Sequence, residues 1–186
     1  MPEVSVVIPA YQHAAFVERR LASVFEQSFQ DFEIVLLDDA STDGTRELCE
    51  RAAERDARVR FVPSLVNSGS PYVQWNRGVR LAGAPLVWIA ESDDDASPDL
   101  LATLVAALRS HATASFAYCE SVRVDAEGRE VGLGSHNLVR FDAGAWTRDR
   151  FARGREECAR YMVLENSVPN ASAVVFRREA FERAGG

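Results

Sequence analysis

The chain has no lysine, and all 21 of its basic residues are arginine. Arginine's fork of donors suits a diphosphate, but genomic base composition accounts better for so complete an absence. The chain also has no Gly-x-x-x-x-Gly-Lys phosphate loop and no Gly-x-Gly-x-x-Gly after its first apolar run. Kinase-like NTPases and dinucleotide dehydrogenases are thereby disfavoured. Cysteine is scarce: Cys49, Cys119 and Cys158 are odd in number, far apart and in no Cys-x-x-Cys pair. That favours reduced thiols in a cytosolic protein over a disulfide framework. No apolar run approaches the ~18 residues that span a bilayer, and Met1-Pro-Glu-Val4 lacks the basic start of a signal peptide. The three histidines are scattered, which suggests no zinc triad. A net charge of −7 argues against a general nucleic-acid or anionic-membrane surface. The chain reads as soluble and cytoplasmic.

What is present is alternation. Short β-branched runs at Val4–Pro9, Phe32–Leu37, Val59–Val62 and Leu86–Ala90 alternate with helical patterns at Ala14–Gln27, Asp43–Arg55, Pro71–Leu81 and Ser97–Arg109. Ser41 or Thr42 is expected to cap the second helix. Ser97-Pro98-Asp99 is expected to start the fourth. A strand recurring about every 25 to 30 residues is the spacing of βαβ units. The first ~110 residues are therefore expected to form a doubly wound α/β half with a parallel sheet. The later residues, 111–186, are less regular. Ser115–Asp125 is extended, Asp125–Gly128 turns, Gly132–Gly144 is loop, Glu156–Leu164 is helical and Ala171–Phe176 is a strand. The chain is expected to be one domain, ending on a helix stop that suggests truncation.

Three clusters follow strand ends, where open α/β sheets bind their ligands. Pro9-Ala10-Tyr11-Gln12 offers an aromatic ring for stacking, or is an ordinary strand-to-helix turn. Asp38-Asp39-Ala-Ser-Thr-Asp43-Gly-Thr45 offers a carboxylate to a base or a ribose hydroxyl, where helix capping explains only the residues from Ser41 on. Glu91-Ser92-Asp93-Asp94-Asp95 sets four carboxylates in five residues, directly after Trp88-Ile89-Ala90. Acidic clusters are commonly solvated loops. Beside a buried strand, however, uncompensated charge is costly, and Mg²⁺ or Mn²⁺ shared with substrate phosphates would neutralise it. Asn67-Ser-Gly69 and Trp75-Asn76-Arg77-Gly78 either contact a nucleotide or turn the chain. An aspartate-nucleophile phosphatase would need Asp-x-Asp where Pro9-Ala10-Tyr11 stands.

In order and spacing these segments resemble the family 2 glycosyltransferases of the GT-A fold. The segments are Val4–Tyr11, Asp38–Thr45, Asn67–Gly69, Asn76–Gly78, Glu91–Asp94 with Pro98, and Asn170–Arg177. The resemblance covers nearly the whole chain and is greatest to bacterial enzymes of cell-surface polysaccharide synthesis. It implies an inverting transfer of a sugar from a nucleotide-diphosphate donor, with UDP the commonest nucleotide, to a saccharide or lipid-linked saccharide acceptor. No nucleic acid is involved. It implies that Pro9, Ala10, Tyr11 and Asp39 hold the nucleoside, with Asn76 and Ser92 also on the nucleotide. The family's D-x-D falls on Glu91-Ser92-Asp93: Asp93 would bind Mn²⁺ or Mg²⁺, Glu91 would face the ribose or donor sugar, and Asp94 would support them. Glu91 departs from the usual aspartate and Gln12 from a frequent asparagine. The family's general base is expected beyond residue 186, so a donor-binding module with little catalysis is the alternative. The expected location is the cytoplasm, extending to the inner face of the plasma membrane, although this chain encodes no membrane association.

Overall fold

The structure is a computed structural model describing residues 1–186, except 126, 140, 141, 143, 145 and 169 and the side chains of 136 and 137. Its contacts divide the chain into two compact units, Met1–Ala117 with Val174–Gly186, and Tyr118–Ala173.

The first unit is built on the predicted alternation. Strands β1 (Val4–Ala10), β2 (Phe32–Asp38), β3 (Val59–Pro63) and β4 (Leu86–Ile89) are parallel neighbours in the order β3-β2-β1-β4. Every residue of β1 and β4 is buried, as expected of strands covered on both faces. Helices α1 (Val17–Phe25), α2 (Thr45–Arg55), α3 (Pro71–Leu81) and α4 (Leu100–Ser110) are the crossovers and the helix after β4. They cover both faces of the sheet, giving the doubly wound, mostly parallel arrangement expected. Helix α3 lies tightly against β1. A Cβ on Gly78 would overlap the Cγ1 of Val7 and sit 3.2 Å from its Cβ. The Trp75–Gly78 segment is thus helix interior and not a turn, and glycine lets that helix lie against the strand.

The chain leaves this sheet after β5 (Phe116–Tyr118) and returns with β8 (Val174–Arg177), which runs antiparallel to β4. Helix α6 (Arg178–Ala184) follows. The expected strand over Ala171–Phe176 is a short 3₁₀ turn over Ala171–Ala173 and then β8. The second unit holds the hairpin β6 (Val122–Val124) and β7 (Glu130–Leu133), closed by the predicted turn through the Gly128 N–H to the Asp125 carbonyl at 2.9 Å. A 3₁₀ turn occupies Gly134–Asn137, inside the expected loop. Helix α5 (Gly154–Glu157) runs into a π-helical turn over Cys158–Met162.

Three helix starts differ from expectation. Ser41 and Thr42 do not cap α2, which begins at Thr45 after Gly44 (φ 99°). Both hydroxyls are engaged by Gln12 instead. Asp43 takes over part of the cap's work, accepting from the Thr45 N–H at 3.0 Å. Similarly, α4 starts at Leu100, because the Asp99 carboxylate accepts from the Ser28 hydroxyl (2.9 Å) and Ser97 contributes only its carbonyl. The first helix is also shorter than its pattern, starting at Val17 after a turn at residues 14–16.

Candidate donor site at the carboxyl edge of the sheet

Strand register brings the predicted clusters to one edge. Ala10 pairs with Asp38, and Asp38 with Pro63. The Asp39 N–H donates to the Ala10 carbonyl at 2.9 Å, and the Ala90 N–H to the Val7 carbonyl at 2.8 Å. Because these strands are parallel, the segments after β1, β2 and β4 all leave the sheet in the same direction.

The first two segments are strapped together. Gln12 (φ 55°) and Ala40 (φ 65°) both adopt left-handed backbone that side chains other than glycine and asparagine resist. Such conformations persist where surroundings over-determine them, and here they do. The Gln12 N–H donates to Ser41 Oγ (3.1 Å), and the Thr42 N–H to Gln12 Oε1 (2.7 Å). The His13 N–H donates to Thr45 Oγ1 (2.8 Å), and the Ala14 N–H to Asp43 Oδ2 (3.0 Å). The Thr45 hydroxyl, ahead of these backbone donors, holds the Asp43 carboxyl below its ordinary value.

The two adjacent aspartates have separate tasks. Asp38 is fully buried; one oxygen accepts from the Ser41 N–H at 3.1 Å, and Oδ2 has no partner among the described residues. Asp39 is 4% exposed and is the anchor of the Asn67–Gly69 turn. It accepts from the Ser68 N–H (3.0 Å), the Ser68 hydroxyl (2.7 Å), Asn67 Nδ2 (3.3 Å) and Gln74 Nε2 (2.5 Å).

The acidic run is less bare than its sequence suggests. Arg19 pairs with Asp95 at 2.6 Å, and the buried Arg20 reaches the run from α1. Glu91 is half-buried and accepts from the Trp75 indole N–H. Burial pushes its carboxyl up to about 7, with Asp93 and Asp94 adding and the Trp75 bond and Arg20 opposing. Ser92 is buried, its hydroxyl 2.6 Å from His13 Nδ1, which joins the run to the loop after β1. Asp93 is exposed and has no hydrogen bond or ion pair among the described residues.

Among the expected site residues, the structure gathers Pro9, Ala10, Tyr11 and Asp39 at the ends of β1 and β2, with Tyr11 46% exposed. It places Glu91, Ser92, Asp93 and Asp94 beyond β4 at the same edge. Asn76 lies on α3, donates to its own helix at the Tyr72 carbonyl (3.0 Å), and no hydrogen bond joins it to the others. The sequence reading did not single out Arg20 or Gln74, and it named Trp75 only within the Trp75–Gly78 segment. Arg20 had a legible signal: it falls three residues after Val17 and one before Leu21, on the helix's buried stripe.

The donor set suits a hard cation that brings other ligands with it. Among the described residues, no three His, Cys, Asp or Glu side chains converge into a metal cage. Asp93 nevertheless offers uncommitted carboxylate oxygens, with Asp94 beside it. Mg²⁺ and Mn²⁺ are commonly held by one or two carboxylates plus substrate phosphates, and the residues present fit that pattern.

The chain is 34% identical over 100 residues to a putative teichuronic acid biosynthesis glycosyltransferase, TuaG, of Bacillus subtilis, covering 54% of this chain and 39% of that one. Against the mannosyltransferase PcManGT of Pyrobaculum calidifontis, solved with GDP-Man and Mn²⁺, the TM-score is 0.69 at 26% identity. That match covers all of this chain and 47% of the other. Residues 1–349 of S. aureus TarS share the fold at TM-score 0.73 and 20% identity, over 98% of this chain and 49% of that one. The chain spans about a third to a half of the curated relatives it first matches. Its fold is that of the GT-A glycosyltransferases. The model of the family described as glycosyl transferase family 2 matches residues 5–185, and the chain belongs to that family.

Proposed function

We propose that this chain forms the donor-binding part of an inverting, metal-dependent glycosyltransferase. It would move a sugar from a nucleotide-diphosphate sugar to the hydroxyl of a saccharide or lipid-linked saccharide in surface-polysaccharide synthesis. The observation that carries the reading is the convergence of the Pro9–His13 loop, the Asp38–Asp39 strand end and the Glu91–Asp95 run at one sheet edge. Tyr11, exposed at the end of β1, would stack on a base, and Asp39, fixed by Ser68 and Gln74, would accept from the nucleoside. Asp93, supported by Asp94, would hold Mn²⁺ or Mg²⁺, and Glu91 would face the donor sugar. The cation's chemistry there is neutralisation of charge on the leaving diphosphate. The mannosyltransferase relative, solved with GDP-Man and Mn²⁺, supports a nucleotide-sugar donor and a divalent metal.

A second reading, donor binding with little transfer, is favoured by one observation. Glu120, an acid of the later segment, is taken up by the Ser135 hydroxyl and the Ser121 N–H rather than left available as a base. Metal-dependent turnover with an acceptor separates the two readings.

Calorimetric titration of UDP with Mn²⁺, and again with EDTA, tests the donor site; GDP and dTDP follow if UDP does not bind. Binding is expected to be tight with Mn²⁺ and much weaker, though measurable, with EDTA. Asp93→Ala should remove the metal-dependent part while leaving the fold intact, and unchanged affinity would refute the assignment. Asp39→Ala should weaken binding even without metal, and wild-type affinity there would restrict Asp39 to anchoring the 67–69 turn.

A further inference from the structure

The side chain of Arg20 is 0% exposed, on a helix face otherwise made of Val17, Leu21, Ser23 and Val24. Burying a guanidinium costs several kcal/mol unless charges and hydrogen bonds compensate, so its surroundings should show why it is there. Its Nε donates to the Glu91 carbonyl at 2.7 Å. Its Nη2 lies 3.9 Å from Asp94 Oδ2, and the group stands over the Trp88 ring, 5.6 Å from its centre. Burial works against its charge, while Asp94, Asp95, Asp93 and Glu91, in that order, work for it. An arginine keeps its proton under such conditions. The second arginine, Arg19, meets Asp95 in solvent, where an ion pair contributes little.

We propose that Arg20 is a positioning residue and the built-in countercharge of the acidic run. It holds the run from the core side and lowers its net field, so that a divalent cation enters with a diphosphate and not alone. The proposal rests on the donor-site reading above. Its physical basis is simple. Four carboxylates on one short loop would attract a free divalent cation. A fixed positive charge directly behind them cancels part of that attraction and engages Asp94. A cation arriving with a diphosphate brings its own oxygen ligands and depends less on the protein's net charge.

The test is to titrate MnCl₂, without nucleotide, into the wild type, Arg20→Met and Arg20→Lys, with circular dichroism checking the fold. The wild type should bind Mn²⁺ alone at about 1 mM or weaker. Arg20→Met, similar in reach but uncharged, should bind it at least about tenfold tighter. Arg20→Lys should stay with the wild type, because it keeps the charge. A merely structural role predicts the reverse, since loosening the loop weakens any site it carries. Micromolar binding of Mn²⁺ alone by the wild type overturns the proposal, as does a folded Arg20→Met of unchanged affinity. If the Met variant does not fold, the wild type and Arg20→Lys still decide, because a tenfold tightening in Arg20→Lys is equally fatal. A parallel titration of UDP with Mn²⁺ into the wild type keeps the two readings apart. Failure there with UDP, and then with GDP and dTDP, sinks the donor site, while the comparison of Mn²⁺ alone still judges the countercharge.

Discussion

The sheet-bearing unit and the Tyr118–Ala173 unit are held by different interactions. In the first, Val4, Val6, Val7, Ile8, Ile34, Leu36, Leu37, Trp88 and Leu101 are all fully buried. Each such side chain contributes about 1.5–3 kcal/mol relative to exposure. In the second, the buried apolar side chains among the described residues are Leu138, Tyr161 and Ala173. Its order comes instead from polar contacts: Tyr161 and Arg160 on Asp142, Arg150 on Glu157, and the Arg150 guanidinium 4.8 Å from the Trp146 ring centre. Exposed ion pairs contribute about 0–1 kcal/mol and cation–π contacts about 0.5–1. The difference shows where the proposed donor site obtains its rigidity. Strained backbone at Gln12 and Ala40 needs a platform that does not yield, and the parallel sheet is that platform.

The largest expected effect is in thiol reactivity. Cys49 on α2 is fully buried, and burial, with Asp38 adding, pushes its thiol up to about 12. Cys158 in the second unit is exposed. At pH 8, Cys158 should react with a disulfide reagent at least about 10³ times faster than Cys49, which becomes available only on unfolding. Rates within tenfold of each other would erase the contrast between the units. The same shift gives a sign for alkaline stability. The folded thiol keeps its proton where the unfolded one has lost it, so this contribution falls as pH rises from about 9 toward 12. No lysine titrates in that window, and Tyr118, Tyr161 and Cys119, also pushed up, add to the fall with the same sign.

Next in size is Gly78→Ala. The added methyl must displace Val7 or move α3, which should cost about 1–3 kcal/mol and lower the urea midpoint of the first unit. A midpoint equal to wild type would mean that helix and strand can separate freely.

Much of the first unit was legible because both its period and its position are physical signals. Buried parallel strands leave continuous β-branched runs, and the edge proposed to bind the donor follows from strand direction alone. The acidic run was legible as a charge anomaly. The burial of Arg20 was legible in its helix stripe, but its pairing with the run was not, because Arg20 and Arg19 lie about 70 residues away in sequence and only the fold brings them close. Capping was misread at Ser41 and Thr42 for a similar reason. A local rule assigned those hydroxyls to their own helix, whereas the strained loop at Gln12 competes for them. The second unit gave little periodicity to read, since strands such as β6 and β7 are exposed along nearly their whole length.

A smaller effect is expected from Arg150→Gln, which removes both the pair with Glu157 and the stacking on Trp146 and Tyr161. The loss should be about 1 kcal/mol. It should register as faster amide exchange over 142–165, and raised salt should weaken the wild-type segment in the same direction. Protection of Cys49 should not change. A matching loss of Cys49 protection would show that the two units unfold as one.

The smallest effect comes from repeating the Gly78 substitution in the other unit. Gly154 opens α5, and nothing lies within 4 Å of where its Cβ would be. Alanine there adds helix preference and removes freedom from the unfolded chain, a gain of about 0.4–1 kcal/mol. Gly154→Ala should therefore slow amide exchange around 154–162, while Gly78→Ala destabilises its own unit. One methyl group, added to a helix in each unit, would act with opposite signs. In the first unit packing leaves it no room, and in the second there is no packing for it to disturb. If both substitutions destabilise, α5 is packed more tightly than its exposure implies, and the distinction between a dense platform and a polar, lightly packed unit does not hold.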